Sequence, residues 1–238
     1  MKKKILTLAL VVALIAIMVS GTLAYFTDND EVTNTFTIGS VRIEIFENDE
    51  ETDEDTIVFI EPLVPVVDPD PSQDDSYIDK VVEVKNTGAN AAYIRTHLAI
   101  PSALVNYLVL DVDTEHGWEQ VAVSTATKDG VEYTVYTYDY AEAVDPNMFT
   151  PELLKGVYLA SDVDLEEDSN GSLWFVKKAA GVITHRSGFM AHEKTANGYT
   201  SNVVNVLVAS QAIQARGFEN GATNALDAGF GQGTNPWQ

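Results

Sequence analysis

The 238-residue chain has no cysteine. Disulfides, thiolate metal centres and a cysteine nucleophile are excluded, so stability must come from packing, metal or assembly. Basic residues are scarce: 14 Lys and Arg stand against 36 Asp and Glu, giving a formal charge of −22. That balance argues against nucleic acid as a partner, because phosphate binding needs a basic face. Histidine is scarce as well, with four scattered at His97, His116, His185 and His192. A zinc peptidase of the H-E-x-x-H type needs two histidines one helical turn apart. Only His192-Glu193-Lys194-Thr195-Ala196 begins that pattern; Ala196 replaces the second His, and Asn197-Gly198 would end a helix. Ser187-Gly188 near His185 lacks a nucleophile-elbow frame. With 36 acids, no glycosidase pair can be singled out. The residues therefore point away from an enzyme.

What the chain does have begins at its N-terminus. Lys2, Lys3 and Lys4 form a charged start, Ile5 to Val19 an apolar run, and Ser20-Gly21-Thr22-Leu23-Ala24 a stretch with small residues. This order is that of a secretory signal peptide covering residues 1–24, cut between Ala24 and Tyr25. The uncharged stretch to Thr27 is also long enough to serve as a retained membrane anchor. The short apolar run and the small residues at its end favour cleavage, which leaves the uncleaved signal as the only membrane contact.

The remainder, 25–238, reads as one β-rich domain. Val32, Phe36 and Ile38 alternate with Thr33, Thr35 and Thr37, and Val41, Ile43 and Ile45 repeat the pattern after Gly39-Ser40. Residues 47–76 combine a dense acidic block with Pro62, Pro65, Pro69 and Pro71, which predicts mostly loop with a short strand at Ile57–Ile60. Tyr77–Lys85 and Ala91–Ile100 flank Asn86-Thr87-Gly88-Ala89-Asn90 and read as a β-hairpin. Trp118–Ser124 and Val131–Tyr140 flank Asp129-Gly130, a strong hairpin signal. Pro151–Ala160 reads as a short helix, with Thr150 as N-cap and Pro151 at its first position. Leu173–Val176, Val182–Arg186 and Tyr199–Gln214 are further strands, the last apolar on both faces near Val203–Val208. A helical turn is expected at Ala222–Ala228. Eight or nine short strands with Gly-rich turns predict an all-β fold, a two-sheet antiparallel sandwich of jelly-roll type with a few short helices in loops.

Calcium is the cofactor question the composition raises. Asp162, Asp164, Glu166 and Asp168 alternate before Asn170-Gly171, without the Gly and Glu spacing of an EF-hand. They are candidates for a weak oxygen-ligand calcium site, with a solvated acidic loop as the plainer reading. Asp49–Asp55 has the same two readings. Asn170-Gly171-Ser172 matches a glycosylation sequon, though a turn accounts for it.

Three pieces of the chain resemble the TasA/camelysin family. They are Gly21-Thr22-Leu23-Ala24-Tyr25-Phe26-Thr27-Asp28 with Asn34-Thr35-Phe36-Thr37-Ile38-Gly39, the segment Val81–Gly88 with Ala92-Tyr93-Ile94-Arg95, and Gln211–Phe218. The resemblance implies export through a SipW-type signal peptidase and a secreted jelly-roll subunit of biofilm matrix fibres, at the cell surface or in the extracellular matrix. It further implies that the subunit partners with itself. The freed segment 25–38, with Val32, Phe36 and Ile38 as its anchors, would insert in a neighbour's sheet by β-augmentation. An ordinary first strand within its own sheet is the alternative reading of 25–38. A camelysin-type metallopeptidase and a monomeric adhesion module are the alternative functions.

Overall fold

The computed structural model describes residues 27–30, 41–47, 50–51, 56–58, 77–196, 198–202, 204–218 and 220–237. In chain order the strands are β1 (Thr27–Asp30), β2 (Ile43–Glu47), β3 (Glu50–Glu51), β4 (Thr56–Val58), β5 (Ile78–Asn86), β6 (Ala92–Pro101) and β7 (Leu108–Val112). There follow β8 (Trp118–Lys128), β9 (Val131–Tyr140), β10 (Leu154–Leu159), β11 (Val163–Glu167), β12 (Leu173–Ala179), β13 (Val182–Thr195), β14 (Gly198–Ser201) and β15 (Asn205–Gln214). A helix, α1 (Ala222–Phe230), closes the chain.

The protein is all-β and antiparallel. The largest sheet runs β1-β15-β6-β9-β8, with β4 also on β15; the second runs β3-β2-β5-β10-β7. Their facing sides share one core. Ile94, Leu98, Ile100, Val206 and Val208 come from the first sheet, and Ile43, Ile45, Val82, Val84 and Val157 from the second. The period-two patterns of β2, β5, β6 and β15 supply all of these but Val157 of β10, because alternate side chains of a strand fall on one face. Beside the two lies a third sheet, β11-β12-β13-β14, which seats Val163, Phe175 and Ala191 on the same core.

Two sequence expectations need correction. Strands β5 and β6 exist, but they do not pair: β5 lies between β2 and β10, and β6 between β15 and β9. Asn86-Thr87-Gly88 is therefore an arch between sheets. Buried Asn86 builds it, donating from Nδ2 to the carbonyls of Asn90 and Val144 and accepting from Gly88 N–H. Turn chemistry signals a change of direction without saying which neighbour the chain meets next. In place of the helix expected at Pro151–Ala160 stands β10, held between β5 and β7. Thr150 caps no helix; its Oγ1 accepts the Val84 N–H at 3.0 Å. Pairing on both sides overrides the local Thr-Pro preference.

The β8–β9 hairpin is as read, with Lys128 opposite Val131 and positive φ at both Asp129 and Gly130. Tyr199–Gln214 divides into β14 and β15. Within 47–76, β3 and β4 are short strands and 59–76 lies outside the described residues.

Candidate assembly site

The first sheet has two unlike edges. At one edge β8 is eleven residues long and carries a β-bulge between Gln120 and Ala122, with exposed Glu119 nearby. Bulges and charges of this kind discourage pairing with another chain. At the other edge two fragments share β15: β1 over Ser210–Ile213 and β4 over Asn205–Leu207. The register places Thr27 opposite Ile213 and Asp30 opposite Ser210. A four-residue edge strand contributes only a few ladder bonds, each worth roughly 1 kcal/mol net. Of the segment 25–38, only Thr27–Asp30 is described; Ala24, Tyr25, Val32, Phe36 and Ile38 lie outside the described residues.

The strand receiving β1 is, by contrast, deeply buried. All of Val206–Ile213 is buried. Its inner side faces the sandwich core, with Ser210 Oγ bonded to Thr96 Oγ1 at 2.8 Å. Its outer side is covered by the C-terminal segment, a layer the sequence reading did not foresee. Ala222, Ala225 and Leu226 of α1 pack on Ile213 and Tyr93, and Trp237 packs near Ala99, Val135 and Leu207. Between these apolar groups lies a polar row. Arg95, 1% exposed, grips both oxygens of Asp139 at 2.6 and 2.9 Å and reaches Asp227 of α1 at 2.7 Å. The same guanidinium donates to the Gly231 carbonyl at 3.2 Å, tying helix to sheet. His97, fully buried, bonds Thr137 and Gln211 at 3.0 and 3.2 Å. Burial pushes its pKa down to about 4; the Gln211 bond opposes this and the charge on Arg95 adds to it. The alternation of Arg95 and His97 against Ile94 and Leu98 was the sequence signal for this layer: polar side chains opposite the core face.

The remaining histidines are spread over other elements. His116 is exposed and its Nδ1 meets Asp113 at 2.7 Å, in a carboxylate also bound by Lys155 at 2.9 Å. Lys155, with help from His116 and the Glu115 N–H, holds the Asp113 carboxyl well below the usual range. His185 is exposed on β13. His192 and Glu193 also lie on β13, a strand rather than a helix, with His192 opposite Ser201 and its ring edge-on to Tyr199 at 6.4 Å. The zincin motif sets two histidines one helical turn apart on a helix; here the first lies on a strand and Ala196 stands at the second position.

The calcium candidates line β11 and its turn. Asp162 pairs with Lys177 at 2.9 Å, and Asp164 and Glu166 both reach Lys178, at 2.8 and 3.1 Å. Asp168 accepts from Asn170 N–H, Ser172 N–H and the Trp174 indole, shaping the turn before β12. The first three carboxylates are thus turned to lysines and the fourth to two backbone N–H groups and an indole. Among the described residues, no group of three or more His, Asp or Glu is placed to hold a metal.

A second opening lies at the far side of the sandwich. The second sheet ends at β7 among the described residues, and beside it a cleft of about 240 Å³ is lined by Ile100, Leu108, Val109, Leu110, Tyr136 and Tyr138. No helix among the described residues is long and apolar enough to cross a membrane. Comparison with protein-family profiles, with curated proteins and with solved structures finds no match.

Proposed function

We propose that the protein is a secreted structural subunit of an extracellular fibre, of jelly-roll type, that polymerises by exchanging its N-terminal strand. One observation carries the reading: β1 is a four-residue strand at the edge of the first sheet, laid on a β15 that is itself buried on both faces. A neighbour's copy of the same segment would make the same backbone bonds, so exchange between subunits costs little in contacts, and passing the strand head to tail propagates a filament. The alternation of Val32, Phe36 and Ile38 suits such a strand, with side chains on one face to anchor it.

Export sets the timing. While residues 1–24 remain, the segment is tethered at the membrane; cleavage by a SipW-type signal peptidase between Ala24 and Tyr25 frees it for a neighbour. The test is sedimentation of the chain beginning at Tyr25 against one beginning at Gly39. The longer form should sediment as polymer and the shorter as a folded, β-rich monomer by circular dichroism. Polymer from the shorter form would refute strand exchange. A monomeric longer form would favour the adhesion-module reading.

A further inference from the structure

The third sheet ends in an exposed apolar hairpin tip. Strands β12 and β13 are joined by Ala180-Gly181, and residues 179–186 are all exposed. Ala179 faces Val182 across the turn, and both turn residues have positive φ, 50° at Ala180 and 78° at Gly181. Such a turn calls for Asn, Asp or Gly at its first position, as Asp129-Gly130 provides in the β8–β9 hairpin. An alanine there accepts an unfavourable left-handed backbone and keeps the tip apolar. The outcome is five consecutive residues without a polar side chain, Ala179-Ala180-Gly181-Val182-Ile183, with Val182 67% and Ile183 39% exposed.

The same molecule carries a matching recess. The cleft beside β7 is apolar and about 240 Å³ in volume, whereas an apolar cavity of about 150 Å³ already holds a benzene ring. A branched aliphatic side chain therefore fits. The charges match too. Residues 177–186 contain Lys177, Lys178 and Arg186 and no acid, while 108–119 contain Asp111, Asp113, Glu115 and Glu119 and no Lys or Arg. Lys177 and Lys178 are engaged by Asp162, Asp164 and Glu166, and Asp113 by Lys155. Of the remaining charges, Arg186 lies nearest the tip, and Asp111, whose Oδ2 accepts from the Tyr77 hydroxyl at 2.8 Å, lies beside the cleft, with exposed Glu115 and Glu119 farther along the chain.

We propose that the β12–β13 tip of one subunit docks Val182 into the β7 cleft of a second copy. Knob and recess are different surfaces of one chain, so the contact is heterologous and adds subunits without closing. A lipid surface is the other natural partner for an exposed apolar hairpin tip, but a chain of net charge −22 is repelled by anionic headgroups. The contact uses neither β1 nor β15 and is independent of strand exchange.

The absence of cysteine makes the test clean. Val182→Cys and Leu110→Cys, each the sole thiol in its chain, are mixed in equal amounts, oxidised mildly and mapped by mass spectrometry. Random collision gives the mixed 182–110 disulfide half of all links; docking should raise it at least fivefold over the two like-with-like products combined. Val182→Cys with Arg186→Glu should return the mixture toward the random ratio. Circular dichroism of Leu110→Cys checks that the edge strand is intact, and a reciprocal pair, Ile183→Cys with Val109→Cys, repeats the test if it is not. A statistical ratio in both pairs overturns the proposal. So does flotation with phosphatidylcholine vesicles that Val182→Asp abolishes, which would make the tip a membrane device. Filaments with statistical crosslinks leave strand exchange standing alone. Specific crosslinks with filaments indifferent to Phe36→Asp leave the tip contact standing alone.

Discussion

His97 should make the protein acid-sensitive by a calculable amount. The imidazole is fully buried between Thr137 and Gln211, beneath the C-terminal segment and beside Arg95. Its pKa falls to about 4 in the folded chain, against 6.5 when exposed, chiefly because burial strips the charged form of water. The unfolded chain therefore takes up a proton that the folded chain refuses. Stability from this group is complete above about pH 6.5, declines as pH falls, and is exhausted near pH 4, where the folded chain protonates as well. The gap corresponds to about 3 kcal/mol. Carboxylates titrate over part of this window, so the measurement is a difference. Urea unfolding of wild type and His97→Gln at pH 7, 6, 5 and 4 should give curves that converge by about 3 kcal/mol toward pH 4. His97→Gln begins lower for lost packing and falls less steeply. Parallel curves would refute the burial argument, as would an imidazole pKa near 6.5 by NMR.

Other consequences are equally direct. Arg95→Met should destabilise by about 3–5 kcal/mol in urea unfolding, because Asp139, 1% exposed, would be left as an unpaired buried charge. Asp227→Asn should cost far less, since that carboxylate is 27% exposed. Gly156→Ala should cost about 1–3 kcal/mol, because an added Cβ would meet the Tyr77 ring at 2.3 Å; Tyr77→Leu in the same chain should recover part of it. Purified protein should show no zinc-dependent casein cleavage, since His192-Glu193 sits on a strand and Ala196 takes the second ligand position; chelator-sensitive activity lost in His192→Ala would contradict this. Mass spectrometry of extracellular protein should find Tyr25 at the N-terminus.

How much of this was legible in the sequence follows from the range of each signal. Asp129-Gly130 fixes a hairpin because its neighbours in space are its neighbours in sequence. Asn86-Thr87-Gly88 looks equally decisive, but its outcome is set by Asn86 bonding to Val144, 58 residues away. Pro151 gave a helix signal that two flanking strands, β5 and β7, overruled. β15 was recognisable as central from its two apolar faces, whereas what covers its outer face depends on a helix and tail whose docking no local pattern announces. The acidic alternation at Asp162–Asp168 suggested oxygen ligands; the lysines that answer it lie across the sheet on β12. Of residues 25–38, the alternation around Phe36 was readable at once, whereas the pairing of Thr27–Asp30 with β15 joins segments far apart in sequence and no local pattern announces it.

Strand exchange is tested most directly by electron microscopy of the chain beginning at Tyr25, wild type beside Phe36→Asp. If strand exchange holds, a carboxylate at position 36 would have to be buried against a neighbour's sheet, a cost too large for a short strand to bear. Wild type should form filaments and Phe36→Asp should remain as dispersed, folded particles. Filaments of wild-type form and abundance from Phe36→Asp would contradict the account.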